Sequence, residues 1–468
     1  MQKKIEAYIE AHVEEMLADT MALMAINSEK MEEKPGMPFG EGCAEVLAKA
    51  TEILEGHGFP VKNYDNYVIA ADMNENPARL DILAHLDVVP AGTGWTVTEP
   101  FCPVIKDGML YGRGSADDKG PAMAALYAMK AVKELGVELT GNCRLILGSD
   151  EECGSSDIQY YFEREQEAPM TFSPDAEFPL INIEKGGLFM PFTAQVEATS
   201  TEGIRLVSIQ AGTKVNVVPG DAGAVIAGVE EAELRALAAT VAEKTGTEVT
   251  VEVLETGAQI LIKGAFAHAA SPEGGNNALT ALIELLASVN FADVQVDKLI
   301  KNLAKLFPHG DWNGKALGVN HEDKESGKLT LSFNMLNFDG TTFAGIFDCR
   351  ACICATKENT QDVVAARLTE AGFTPDPHSA MRPPHCVPED SEFVQTLLSC
   401  YEEVTGRKEK PLAIGGGTYV HHIENGVAFG CGDLAVDNRM HGPEEFMDIE
   451  QMKKSAVIFA LAILKLCQ

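Results

Sequence analysis

Apolar positions along the chain follow more than one period. Near the N-terminus Ile5, Ile9, Val13 and Met16 recur at helical spacing and predict an amphipathic surface helix. Farther on, Leu80-Asp-Ile-Leu-Ala-His85 and Cys143-Arg-Leu-Ile-Leu-Gly148 are short apolar runs of the kind that form strands. Between them Gly120 and Pro121 open a helical stretch to about Leu135, with proline at a tolerated early position. Helices alternating with short strands predict an α/β domain, a mixed and mostly parallel sheet flanked by helices. Both apolar runs end in polar bursts, His85-Leu-Asp87 and Asp150-Glu-Glu152. Binding and reacting groups of open α/β sheets collect at the C-terminal ends of strands, so two bursts in one domain predict one shared site.

The texture changes after Glu184-Lys-Gly-Gly187. Val249, Val251 and Val253, and likewise Leu329, Leu331, Phe333 and Met335, now alternate with other residues, the pattern of a sheet with one wet face. Helical patterns over 277–289 and 362–370 intervene. Residues 187–380 therefore read as an inserted α+β lid domain. The breaker-rich stretch 374–388 reads as the return linker. Residues 381–468 are again α/β and complete the catalytic domain begun in 1–186. The apolar run 456–464 is too short to span a bilayer and predicts a buried helix.

Composition narrows the function classes. A chain of 468 residues exceeds one ordinary core, in line with two domains. Lys plus Arg number 37 against 70 Asp plus Glu, a formal charge of 37 − 70 = −33. Such a surface repels phosphate backbones and anionic lipid, so neither a nucleic acid nor a membrane is an expected partner. The first residues lack the continuous apolar core of a targeting signal. The 11 scattered cysteines fit reduced thiols and a cytoplasmic location. Cys349, Cys352 and Cys354 fall in an apparent strand, where Cys349 and Cys352 would point to opposite faces, and they read as core thiols rather than chelators.

Candidate chemistry follows the chain. His85 and Asp87, two apart on a strand, share a side, so Asp87 can accept the second imidazole N–H and fix its tautomer. Alone, a His-x-Asp is more often surface chemistry. Tyr111-Gly-Arg-Gly-Ser-Ala-Asp-Asp-Lys-Gly120 is more specific: its glycines permit close approach, and two acids opening a helix feel its positive end. An acidic helix cap would explain one of those acids but not the whole string. In Asp150-Glu-Glu152 one carboxylate can bind metal while its neighbour acts as base, although a solvated acidic loop reads equally well. A hydrolytic two-metal centre needs this kind of donor set, a shared carboxylate with terminal ligands and a base.

These strings, with Ser173-Pro-Asp-Ala-Glu-Phe-Pro179, resemble the dinuclear zinc metallopeptidases that include carnosinases, bacterial carboxypeptidases, aminoacylases and succinyl-diaminopimelate desuccinylase. Asn216-Val-Val-Pro219, Gly264-Ala-Phe-Ala-His268-Ala-Ala-Ser-Pro272, Asp348-Cys-Arg350, Gly415-Gly-Gly-Thr-Tyr419 and Met440-His441-Gly-Pro-Glu444 are similar to the bacterial PepV-type Xaa-His dipeptidases within that family. The likeness runs through nearly the whole chain in the family's order.

The resemblance implies a metal-dependent dipeptidase acting on unblocked dipeptides. It implies that His85 and Asp175 hold one divalent ion, that Glu152 and His441 hold the other, and that Asp117 bridges them across a cis peptide to Asp118. Glu177 is the nearby rival to Asp175. Zinc is the expected ion, with manganese or cobalt compatible. Glu151 is the implied general base, with Asp87 behind His85 and His268 at the oxyanion. Asn216, Arg350 and the backbone of Gly415, Gly416 and Gly417 are implied to hold the substrate, a guanidinium suiting a terminal carboxylate. His268 could instead be a helix-cap histidine, and the glycines a plain turn. His421 and His422 are left unassigned. The enlarged lid implies a monomer, because it can supply His268 within one chain. The alternative activity is a sister amidohydrolase removing an acyl group from an amino acid, of aminoacylase or desuccinylase type, or a carboxypeptidase. A non-enzymatic binding protein on the same scaffold is the more distant alternative.

Overall fold

A computed structural model describes residues 1–197 and 200–468. The chain divides into two units: residues 1–183, 386–412 and 417–468 form the first, and residues 184–385 with 413–416 form the second.

The first unit is built on a mixed sheet. Its strands run in the order Val61–Tyr64, Val68–Asp72, Asn142–Gly148, Ala78–His85, Met170–Ser173, Gly426–Ala428 and Ile181–Glu184. The four strands from Asn142–Gly148 to Gly426–Ala428 are mutually parallel, and the flanking pairs are antiparallel. Every residue of Asn142–Gly148 is buried, as expected for a central strand covered on both faces. Helices Gln2–Met24, Glu41–Gly56, Lys119–Glu134, Glu392–Thr405 and Ile449–Cys467 share the same apolar core as the sheet. Lys119–Glu134 carries alanine at 122, 124, 125, 128 and 131, all buried, which lets neighbouring elements approach closely. The apolar run 456–464 lies inside the last helix and is buried throughout. Among the described residues, no helix is long and apolar enough to cross a membrane.

Inside this sheet Asp81 and Arg144 face each other on adjacent parallel strands. Arg144 donates from Nε and Nη2 to the two Asp81 carboxylate oxygens, each at 2.8 Å, and Asp81 also accepts the Ala168 N–H. Both side chains are buried.

The second unit is built on an eight-stranded antiparallel sheet in the order Glu248–Leu254, Gly257–Lys263, Asp221–Ala227, Arg205–Ala211, Thr330–Phe338, Thr342–Ala351, Gly186–Gln195 and Thr374–Pro375. Helices Glu231–Thr245, Ala278–Ala287, Val294–Leu306 and Asp362–Glu370 join its core. Three readings of the pattern need correction. The register slips between Phe333 and Met335, so the buried series passes from Leu329, Leu331 and Phe333 to Leu336 and Phe338, and Met335 is only half-buried. In the edge strand Glu248–Leu254 only Val251 is buried, while Val253, at the hairpin end, is 56% exposed. The strand carrying Cys349 ends at Ala351, and the chain then turns, so Cys352 and Cys354 leave the strand with their Sγ atoms 3.4 Å apart.

Replacing Arg144 by leucine strands the Asp81 carboxylate in the sheet interior. We expect a loss of about 3–5 kcal/mol in chemical denaturation of the Arg144→Leu protein; a loss under about 1 kcal/mol would show that the pair contributes little.

Candidate metal centre

Three neighbouring parallel strands deliver acidic and imidazole groups from the same end of the sheet. His85 is the last residue of Ala78–His85 and lies in register with Gly148 of the adjacent strand. Glu151 and Glu152 form a short 3₁₀ turn just beyond Gly148, and Asp175 lies two residues past Met170–Ser173. Asp117 comes from the glycine-rich loop that leads into Lys119–Glu134. That loop closes tightly at Gly120, where a Cβ would lie 2.0 Å from the Ser115 carbonyl oxygen. His441 is delivered by the loop before the strand Phe446–Asp448 and sits in left-handed backbone at φ 63°.

Asp117 faces both imidazoles. Its Oδ1 is 2.9 Å from His85 Nε2 and its Oδ2 is 2.9 Å from His441 Nε2. Glu152 Oε1 is 3.3 Å from the same nitrogen of His441, and Asp175 Oδ2 is 3.6 Å from His85 Nε2. Donor atoms of His85, Asp117 and Glu152 all lie within 4.8 Å of one another, and so do those of His85, Glu151 and Asp175. Asp175 thus belongs to the cluster, whereas its rival Glu177 is in neither group. The Asp117–Asp118 peptide is cis.

A layer of buried hydrogen bonds holds these groups. Asp87 accepts the backbone N–H groups of Glu151 and Glu152 at 3.2 and 3.1 Å. His85 Nδ1 lies 3.1 Å from the Asp87 carbonyl oxygen and 3.3 Å from its carboxylate. Asp87 therefore orients the imidazole and the acidic turn together. Asp118 accepts the His85 backbone N–H at 3.1 Å. Asp157 accepts N–H groups from Ser149 and Asp150 and the hydroxyl of Tyr419, whose ring lies edge-on to His85. Glu445 accepts the N–H groups of Ala116 and Asp117 at 2.9 and 3.2 Å and pairs with Arg113 at 2.5 Å, all in the interior.

Sequence reasoning did not find Glu445, Arg113, Asp157 or Tyr419 as supports. Arg113 and Tyr419 lie in strings quoted above and Glu445 follows one, yet Arg113 and Glu445 are 332 residues apart, and no local spacing links them.

The electrostatics call for added positive charge. Burial, reinforced by Asp175, Glu152 and Asp87, raises the Glu151 carboxyl well above its usual range despite His85. Burial and Asp117 raise Glu152 to about 7, and burial and Asp117 also raise Asp175. Asp117 and Glu152 push the His441 imidazole up to about 11. Burial would lower His85, but Asp117, Asp175 and Asp87 carry it well above its ordinary value. His85 Nε2 is buried and has no hydrogen-bond partner, although the Asp117 oxygen is so near. Two donor atoms turned toward a common cation, rather than toward each other, have this geometry. Three carboxylates and two imidazoles are a donor set suited to zinc, manganese or cobalt.

In the second unit, Asn216, His268, Arg350 and Gly415 form their own cluster. Val217 and Val218 pair with His268 and Ala267 in a two-stranded ladder, and the Asn216 carbonyl accepts the Ala269 N–H at 2.9 Å. The exposed His268 accepts the Ala270 N–H at Nδ1, 3.1 Å away. Arg350 is forked onto Asp348 at 2.7 and 2.8 Å and donates from Nη1 to the Gly415 carbonyl at 2.8 Å. A Cβ on Gly415 would come within 2.8 Å of the Ala270 side chain, so a residue lacking one is required there. Gly416 and Gly417 continue the same irregular stretch.

Comparison with known proteins agrees with this architecture. Residues 82–465 match the family described as Peptidase family M20/M25/M40. The protein YtjP of Bacillus subtilis (strain 168) is 34% identical over 465 residues, covering 97% of this chain and 98% of that protein. A Beta-Ala-Xaa dipeptidase of Lactobacillus delbrueckii subsp. lactis is 33% identical over 472 residues, covering 100% and 99%. The crystal structure of human carnosine dipeptidase 1 shares the fold, with a TM-score of 0.63 at 16% identity over 100% of this chain and 99% of that one.

Two measurements check the reading of the centre. Titration with zinc or manganese should raise the melting temperature, by the equivalent of about 2.7 kcal/mol at a hundredfold excess over Kd. The rise given by manganese, which prefers oxygen and nitrogen donors over thiolates, should disappear in Asp117→Ala, and a wild-type melting temperature indifferent to both ions would refute the centre. The Glu445→Gln protein should fold but bind these ions about 10–100-fold more weakly by calorimetry, because the peptide carrying Asp117 is no longer held. Unchanged affinity would show that Glu445 serves the fold alone.

Proposed function

This chain belongs to Peptidase family M20/M25/M40, and from that premise we propose that the peptide bond it hydrolyses is that of short, unblocked dipeptides. The observation that carries the reading is Asp117, one carboxylate oxygen turned to each imidazole, with Glu151 in the same cluster. The choice of dipeptides draws on the relative named as a Beta-Ala-Xaa dipeptidase, which matches this chain end to end.

In this reading His85 and Asp175 hold one divalent ion, Glu152 and His441 hold the other, and Asp117 holds both. Zinc suits the site, and manganese or cobalt is compatible. Bound there, the pair of ions supplies Lewis acidity for the scissile carbonyl and lowers the pKa of the attacking water. Glu151 takes the proton of that water on its carboxylate and returns it to the leaving amine. Asp87 keeps the His85 tautomer fixed and holds the backbone of Glu151 and Glu152 in place.

From the second unit, His268 donates to the developing oxyanion. Arg350, Asn216 and the backbone of Gly415, Gly416 and Gly417 receive the terminal carboxylate of the substrate, which sets its length. By the resemblance an enlarged second unit can supply His268 within one chain, so the proposal is a monomer, and light scattering that finds an obligate dimer would refute this.

Glu151→Gln should lose at least about a hundredfold in kcat while keeping its full complement of ions by elemental analysis; a variant with near wild-type turnover would remove Glu151 from the role of base. A substrate panel, run on apo-protein refilled with zinc or manganese, should favour free dipeptides over N-acyl amino acids and longer peptides. An N-acyl amino acid cleaved much faster than any dipeptide would turn the assignment to the sister amidohydrolases.

A further inference from the structure

The second unit holds another set of metal-type donors, with different chemistry. Asp323 lies in the strand Glu322–Asp323, which pairs with Gly327–Lys328 in a small hairpin. Cys352 and Cys354 lie in the turn that follows Thr342–Ala351, the strand that carries Arg350. One donor atom from each of Asp323, Cys352 and Cys354 lies within 4.8 Å of the other two.

The trio is held in place by its surroundings. Asp323 Oδ1 accepts the Ser326 N–H at 2.6 Å, and Asp323 Oδ2 accepts the Cys354 N–H at 3.1 Å. The Ser326 hydroxyl lies 2.8 and 2.9 Å from the two Asp323 carboxylate oxygens and accepts the Ile353 N–H at 2.8 Å. Hairpin and turn are thereby laced together. Each carboxylate oxygen can accept from more than one partner, so ligation does not require these bonds to break. Cys352 is buried and Cys354 exposed, which leaves an open side for entry.

The sulfur separation is informative. Two thiolates sharing a tetrahedral zinc at about 2.3 Å each stand about 3.8 Å apart. A disulfide brings them to about 2.05 Å. The separation found is 3.4 Å, far nearer to the first arrangement.

We propose that Asp323, Cys352 and Cys354 form a structural site for a thiophilic divalent ion, zinc by preference, with a fourth position open to water. Two sulfurs and one carboxylate set it apart from the candidate centre of the first unit, whose five proposed ligands are nitrogen and oxygen donors. The ion displaces the thiol protons, as coordinating metals do. Its role is to clamp the hairpin onto the end of the strand that carries Arg350, two residues from Cys352.

Cobalt(II) tests this as a spectroscopic stand-in for zinc. With the protein kept reduced by a phosphine, cobalt should produce a near-ultraviolet thiolate-to-cobalt charge-transfer band whose final amplitude corresponds to one sulfur-ligated ion per chain. The Cys352→Ser/Cys354→Ser double variant should lose the band and keep the remaining cobalt uptake. Asp323→Asn, which leaves both thiols in place should the double variant fold poorly, should weaken the sulfur-ligated site at least tenfold. A wild-type protein without the band, a band that survives in the double variant, or an Asp323→Asn protein of unchanged affinity would each overturn the site. None of these outcomes bears on the peptidase reading, because that centre has no sulfur ligand.

Discussion

The structure of the first unit turns on a concentration of like charge. Asp87, Asp117, Glu151, Glu152 and Asp175 converge around the imidazoles of His85 and His441. Carboxylates brought this close in a poorly hydrated pocket raise one another's proton affinity, and the protein would neutralise itself by protonation unless a cation took the place of the protons. The surrounding architecture can be understood as the means of holding that arrangement. Rigid strand ends supply His85, Glu151, Glu152 and Asp175. A tight glycine loop supplies Asp117. Buried carboxylates then hold the backbone behind them, Asp87 at the acidic turn and Glu445 at Asp117.

The two units handle polarity differently. In the first, the buried central strands of the sheet carry charge that is matched, as at Asp81 and Arg144 on adjacent strands. In the second, the antiparallel sheet buries alternate residues on one face, with aromatic side chains of Phe192, Phe307, Phe333, Phe347 and Phe373 in its core. Its polar cluster of Asn216, His268, Arg350 and Gly415 is held mainly by backbone partners and the Asp348 carboxylate.

Much of this was legible in the sequence because the signals were local. The apolar runs ending at His85 and Gly148, the Gly-rich string around Asp117 and the change of period after Gly187 each show their meaning within a dozen residues. The helix Asp362–Glu370 has the bounds its pattern predicts. What escaped depends on distance or on a single-residue slip. The bulge near Asn334 moves Leu336 and Phe338 inward and Met335 outward, and no alternation of apolar letters reveals where one extra residue enters a strand. Cys352 and Cys354 looked like strand residues because nothing in the letters marks the end of the strand at Ala351. Glu445 and Arg113 meet only once the chain has folded back across hundreds of residues.

That last pairing bears on how the protein is made. His441, Glu445 and the strand Gly426–Ala428 all come after residue 385, the end of the second unit's main segment, while the clustered acids come before residue 184. A ribosome that has just finished the second unit has released a first unit with its acids in place but one imidazole missing. The inner edge of Met170–Ser173 is bare as well, awaiting the strand that pairs with it in parallel. Until the final segment arrives, that half-built sheet offers an unpaired edge to any neighbouring chain. Prematurely terminated copies should therefore be sticky and poor at retaining ions, the kind of product that cellular proteolysis removes.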